Sequence, residues 1–145
     1  MSRPLDIVLV GDPLAASRTA QRARAMAELG HRVRRIATTP EGWSYETPPG
    51  PLTRIRHRLR VPGDPAGANR ALAATAATDC PDVVWLDNAG MIRPATLARL
   101  RRRCPRTRLV WYSEDDMMNP RHRTRWTEAA LGLFDLWVTT KSFNA

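Results

Sequence analysis

Lysine is almost missing from this chain: Lys141 stands alone among 23 basic residues, the rest being arginine. Set against 14 acidic residues, they leave a net charge of +9 and a pI near 11.2, a balance that attracts phosphate polymers whatever their sequence. Arginine, alanine and proline are abundant together, so the basicity reads as a coding bias spread over a solvated surface, and nucleic acid is not the expected partner. No run approaches the roughly 20 apolar residues that a membrane-spanning helix needs. The start Met1-Ser2-Arg3-Pro4 enters a strand-like segment without the apolar stretch of a signal peptide. No membrane span and a cytoplasmic location are therefore expected. The only two cysteines, Cys80 and Cys104, each precede a proline at the end of a predicted helix, and in that compartment they are expected to be reduced. Neither G-x-G-x-x-G nor G-x-x-x-x-G-K-[ST] occurs, which argues against dinucleotide-dependent dehydrogenases and P-loop enzymes. His31, His57 and His122 lack the spacing of a metal site or a triad, and no metal or cofactor is expected.

What remains is a chain of 145 residues, 43% hydrophobic and with five tryptophans, enough for one ordinary domain with a packed core. Its rhythm alternates. Residues 6–10 form a short β-branched run ending at Gly11, the pattern of a buried parallel strand. Ser17 can cap a helix through Glu28, and Gly30 can close it. Residues 31–37 read as the second strand, 38–50 as an irregular excursion carrying Trp43 and Tyr45, and a short helix follows with Pro51 as its first residue. A helix over 68–79, a strand over 82–87, a helix over 94–104 and a strand over 108–113 come next. A helix opened by Asn119-Pro120 then runs to about Leu131, and a fifth strand covers 133–140 with no helix after it. Such alternation predicts an α/β fold: a single Rossmann-like open parallel sheet of about five strands with helices on both faces.

In such sheets ligands bind beyond the carboxyl ends of the strands, and every one of those edges is polar here. The first offers Gly11 and Asp12, where an acid suits sugar hydroxyls better than a pyrophosphate. The third offers Asp87 and Asn88. Tyr112, Ser113, Glu114, Asp115 and Asp116 follow the fourth, and Lys141 ends the fifth. Three neighbouring carboxylates can raise one another's pKa, which fits a general base toward an acceptor hydroxyl; an acidic run after a strand also serves as a solvated turn or helix cap. Ser17 and Arg18 lie at a helix start where backbone N–H groups can hold an anion or a hydroxyl, and the plainer reading is a helix cap. Lys141 either pairs with Asp115 or Asp116 or is exposed. Trp85 and Trp111, inside apolar strands, read as core.

The string Tyr112-Ser113-Glu114-Asp115-Asp116-Met117-Met118-Asn119-Pro120 and the later Asp135-Leu136-Trp137-Val138-Thr139-Thr140-Lys141-Ser142-Phe143-Asn144 resemble the spore-maturation, CgeB-like glycosyltransferases of bacteria. Asn69-Arg70-Ala71-Leu72 and Pro81-Asp82-Val83-Val84-Trp85-Leu86-Asp87 agree with that family as well. The resemblance covers nearly the whole chain, although family members often carry proline where Glu114 stands. It implies the N-terminal, acceptor-side domain of a two-domain GT-B enzyme, residues 1–145, whose C-terminal half would bind a nucleotide-sugar donor. That half is not among these residues, so the sequence is expected to be truncated, split or a fragment, and inactive alone. The implied partners are an acceptor (a small molecule, a glycan or a protein) and a donor domain or partner chain. Catalysis is assigned to Asp116, then Asp115, then Asp87, and substrate binding to Gly11, Asp12, Ser17, Arg18, Asn88, Tyr112, Ser113, Asn119 and Lys141.

Other readings stay open. Half a cleft can serve as a non-catalytic ligand-binding module, and the charge fits a polyanion-binding one. A receiver-like signalling domain shares the five-stranded plan, and Asp12, Asp87 and Lys141 mimic its acids and lysine, though the long basic excursion does not.

Overall fold

All six residues of Asp6–Gly11 (β1) are buried, as befits a strand lying inside a parallel sheet covered on both faces. The structure, a computed structural model, describes residues 3–142. Beside β1 run Arg32–Ala37 (β2) on one side and Val83–Asp87 (β3) on the other, followed by Arg108–Ser113 (β4) and Leu136–Thr139 (β5). The order is β2-β1-β3-β4-β5 and every adjacent pair is parallel. Helices fill the connections: Arg18–Glu28 (α1), Pro51–Arg58 (α2) and Ala68–Thr78 (α3), Pro94–Arg103 (α4), and Arg125–Ala130 (α5). This is the open, five-stranded Rossmann-like α/β sheet that the alternation predicts.

The chain steps one way from β1 to β2 and the other way from β3 through β5. Right-handed crossovers therefore put α1 on the face opposite α3, α4 and α5. The main core lies under those three helices, where Val8, Val10, Val84, Leu86 and Trp111 meet Leu72, Leu97 and Leu100. Ile7 and Leu9 alternate to the other face, which α1 covers with the buried Ala20 and Ala23. The sheet order reverses between β1 and β3, and their carboxyl ends open the crevice in which such folds bind ligands.

Local chemistry explains the boundaries. Ser17 caps α1 by accepting from the Ala20 N–H, and Gly30 closes it at φ +89, a left-handed angle that glycine adopts without penalty. Pro51 begins α2 as expected. Three expectations need correction. The fifth helix starts at Arg125, not at Asn119-Pro120. Asn119 and Asp116 instead accept from nearby backbone N–H groups, a turn that competes with helix, and Thr124 provides the cap. The fifth strand starts at Leu136, because Leu131–Leu133 form a 3-10 turn and the Asp135 carboxylate takes the Leu109 N–H and the Arg101 guanidinium. Cys80 and Cys104 are not reduced thiols but a disulfide with Cα atoms 5.5 Å apart. Helices α3 and α4 pack side by side and end at the same level, which brings the two residues after them together; 24 residues of intervening sequence hide that. No helix among the described residues is long and apolar enough to cross a membrane. The expectation that no helix follows β5, and the string's last residues Phe143 and Asn144, lie outside the described residues.

Candidate functional site

Gly11 ends β1 where space is tightest. A Cβ built there would lie 2.6 Å from the Thr19 methyl and 3.1 Å from the Asp87 Cβ, so only glycine lets α1 start this close to β3. From that start, Arg18 and Arg22 project from one side of α1, four residues apart. Arg22 grips Asp87, at the end of β3, with two parallel bonds: Nε and Nη2 each donate to a carboxylate oxygen at 2.9 Å. Its third nitrogen, Nη1, donates to Glu114 at 2.9 Å, and the guanidinium lies 4.1 Å over the Tyr112 ring. Glu114 also accepts from the Tyr112 hydroxyl at 3.2 Å and, through its second oxygen, from Arg18.

Burial decides what these contacts do. The Asp87 side chain is 4% exposed and Arg22 22%, so the pair is locked in a low-dielectric wall where a bidentate fork is strongest. Burial pushes the Glu114 carboxyl up, but the bonds from Arg22, Arg18 and Tyr112 outweigh it and hold that carboxyl below its usual range. Burial pushes the Tyr112 phenol up; Arg22 opposes this and Glu114 reinforces it, and the net shift is upward.

These side chains line an open cleft of about 620 Å³. Its far rim comes from the excursion after β2, where Tyr45 donates its hydroxyl to Asp12 and packs edge-on against Trp43 at 4.5 Å. The bond to Asp12 lifts the Tyr45 phenol to about 12, which keeps it protonated and donating. The other Asp12 oxygen accepts from the Leu14 N–H at 2.9 Å. The cleft thus interleaves three carboxylates (Asp12, Asp87, Glu114) with two guanidiniums (Arg18, Arg22). A phosphate would meet more negative than positive charge; a hydroxyl group, which both donates and accepts, matches both kinds of neighbour.

Of the residues picked out by sequence, Asp12, Ser17, Arg18, Asp87 and Asn88 line this cleft, with Gly11 behind them and Tyr112 beneath Arg22. Ser113 is fully buried and accepts from the Asp115 N–H. Asp115 adjoins the cleft through Asn88, whose Nδ2 donates to it at 3.1 Å. Asp116 and Asn119 shape the following turn and do not line the cleft. Lys141 is exposed and forms no ion pair among the described residues. Sequence reading missed Arg22 and Tyr45 and gave Glu114 no special role; the four-residue spacing of Arg18 and Arg22 beyond an acid-bearing strand edge was the available signal. Among the described residues no group of three or more His, Cys, Asp or Glu is placed to hold a metal ion.

No protein-family model and no curated protein matches this sequence. Solved structures do. An alpha-glucosyltransferase in complex with UDP and a 13-mer DNA containing an HMU base superposes with a TM-score of 0.54 at 13% identity, over 94% of this chain and 38% of that one. The likeness is one of fold. A pilus assembly-related protein of Burkholderia pseudomallei also aligns, with 18% identity and a TM-score of 0.44, over 94% of this chain and 78% of its own. The chain spans little more than a third of the glucosyltransferase's length.

Proposed function

We propose that this chain is the acceptor-side, N-terminal domain of a GT-B glycosyltransferase of the CgeB-like, spore-maturation kind, and that its cleft binds a hydroxyl-bearing acceptor. One observation carries the reading: at the point where the sheet order reverses, fixed carboxylates and guanidiniums interleave around a cleft suited to hydroxyl groups. The glucosyltransferase-like fold and the motif strings support it. In transfer, the acceptor oxygen would attack the anomeric carbon of a nucleotide sugar held by a second domain. The bond from that carbon to the nucleoside diphosphate would break, and the acceptor proton would pass to a carboxylate of this domain. Asp115, beside the cleft and bonded to Asn88, is the proposed proton acceptor; Asp116 is turned onto the following backbone, and Asp87, with both oxygens held by Arg22, anchors the wall. Donor binding and positioning belong to the other half of such an enzyme, so these 145 residues alone should not turn over a nucleotide sugar.

The test is an NMR titration of the full chain with methyl α- and β-glucopyranoside. Saturable shifts at the Asp12, Asn88 and Glu114 amides, weakened by Arg18→Gln, support the reading. Absent or scattered shifts would remove the cleft as an acceptor site. In a full-length relative, Asp115→Asn is expected to cut turnover by roughly the 10²–10⁴ that follows loss of a general base, and unchanged turnover would take Asp115 out of the mechanism.

A further inference from the structure

A second cavity of about 620 Å³ lies between α2 and the loop that leads into α5. Arg54, Arg58, Arg60 and Arg121 surround it, with Thr53 and His57 between them, and no carboxylate is among its lining residues. Arg60 is paired with Glu128, and the other three guanidiniums repel one another unless an anion joins them. Two of the four are held in place beforehand. Arg60 adopts φ +55, a left-handed angle costly for a side chain of its size; its carbonyl accepts from the Arg125 N–H at 2.8 Å, and its Nη1 donates to Pro120 and Glu128. Arg54 donates from Nε to the Pro49 carbonyl at 3.0 Å, leaving both of its terminal nitrogens available. The Arg58 and Arg121 side chains are exposed and form no hydrogen bond or ion pair among the described residues. Glu128, the acid that pairs with Arg60, also pairs with Arg123.

We propose that this four-arginine cavity is a binding site for a phosphomonoester or diphosphate group. Guanidiniums present planar forks of N–H donors that match phosphate oxygens two at a time, and a cavity without acids is where such a group replaces water most favourably. The ligand is an organic phosphate, because the cavity is not isolated. It shares Thr53 and His57 with a neighbouring hollow of about 380 Å³ walled by Trp43, and that hollow shares Thr38 with the hydroxyl-binding cleft. A phosphate seated among the arginines leaves the rest of its molecule a path past Trp43. The proposal stands on the cavity alone and does not need the transferase reading.

Calorimetric titration of the full chain with inorganic pyrophosphate at constant ionic strength tests it, and sedimentation with vesicles containing phosphatidic acid distinguishes a lipid headgroup from a soluble phosphate ester. Saturable binding of either probe, weakened about tenfold or more by Arg58→Gln with Arg121→Gln, is the expected result. Both side chains are exposed and unpartnered, so the variant should melt with the parent; if it does not, Arg58→Gln alone gives the same reading. The site is overturned if neither probe saturates, if the variants bind as the parent does, or if sulfate competes equally. It is also overturned if only an oligonucleotide binds, with a salt slope that the variants leave unchanged, since that describes a diffuse basic surface.

Discussion

Arg22 holds Asp87 through two parallel bonds of 2.9 Å from a position four residues beyond Arg18, and this one pair ties α1 to the end of β3 across the cleft floor. Removing the cation leaves a carboxylate that is 4% exposed without its partner, the costly way to break a buried pair. Arg22→Met is expected to lower unfolding free energy by about 3 kcal/mol, at the low end of the range for such pairs because Arg22 keeps some solvent contact. Adding Asp87→Asn should recover part of that loss. Urea denaturation of the two variants measures both effects, and a loss under about 0.5 kcal/mol, ordinary for an exposed pair, would show that the pair is solvated.

Gly11 gives a sharper steric test. An added methyl would sit 2.6 Å from the Thr19 side chain, and Thr19 is buried in the first turn of α1, so neither can move aside freely. Gly11→Ala should cost about 1–3 kcal/mol by overpacking. Thr19→Ala removes the obstructing atoms, so the double variant should be less destabilised than the two single losses added together. Simple additivity in thermal melts would mean that the two positions do not touch.

The cleft and the elements around it were legible in the sequence to different degrees. The strands other than the arginine-bearing β2 were legible as short apolar runs ended by a turn residue, and the first two helices because Ser17, Gly30 and Pro51 mark their ends; these are signals carried within a few residues. The floor of the cleft was legible only in part. Asp12, Asp87 and Asn88 follow strand ends, and topology brings strand ends together. Arg22, inside a helix, and Tyr45, in an excursion without regular structure, reach the cleft through side-chain direction, which no local pattern encodes. Asp116 failed to line it for the opposite reason: close to a strand end in sequence, it turns its carboxylate back onto the Met118 and Asn119 N–H groups.

Cys80 and Cys104 make a comparable case at the other end of the sheet. Their bridge closes a separation of 24 residues, and a cross-link of that span stabilises by about 3 kcal/mol in the loop-entropy view. Protein unfolded without reductant should expose no thiol to a maleimide, and Cys80→Ser with Cys104→Ser should lower the melting temperature. Two reactive thiols in the unreduced, unfolded chain would overturn the bridge. An unchanged melting temperature would mean that packing of α3 on α4, not the cross-link, fixes that end.

The two tyrosines supply the pH test. The hydrogen bond from Tyr45 to Asp12, reinforced by burial and the nearby negative charge, raises this phenol to about 12, and Tyr112 is raised as well, against about 10 in an unfolded chain. Between those values the folded protein keeps protons that the unfolded one has released, so its stability falls as pH rises. The contribution is whole below about pH 10 and is lost as pH climbs through about 12. Absorbance at ~295 nm, where ionised tyrosine absorbs, should therefore place the Tyr45 step well above pH 10. Asp12→Asn removes the charge that holds the Tyr45 proton and should return one of the two residues toward the ordinary value. If both tyrosines titrate near pH 10 in the parent, Tyr45 is not bound to Asp12 in solution, and the rim of the cleft is open where the structure closes it.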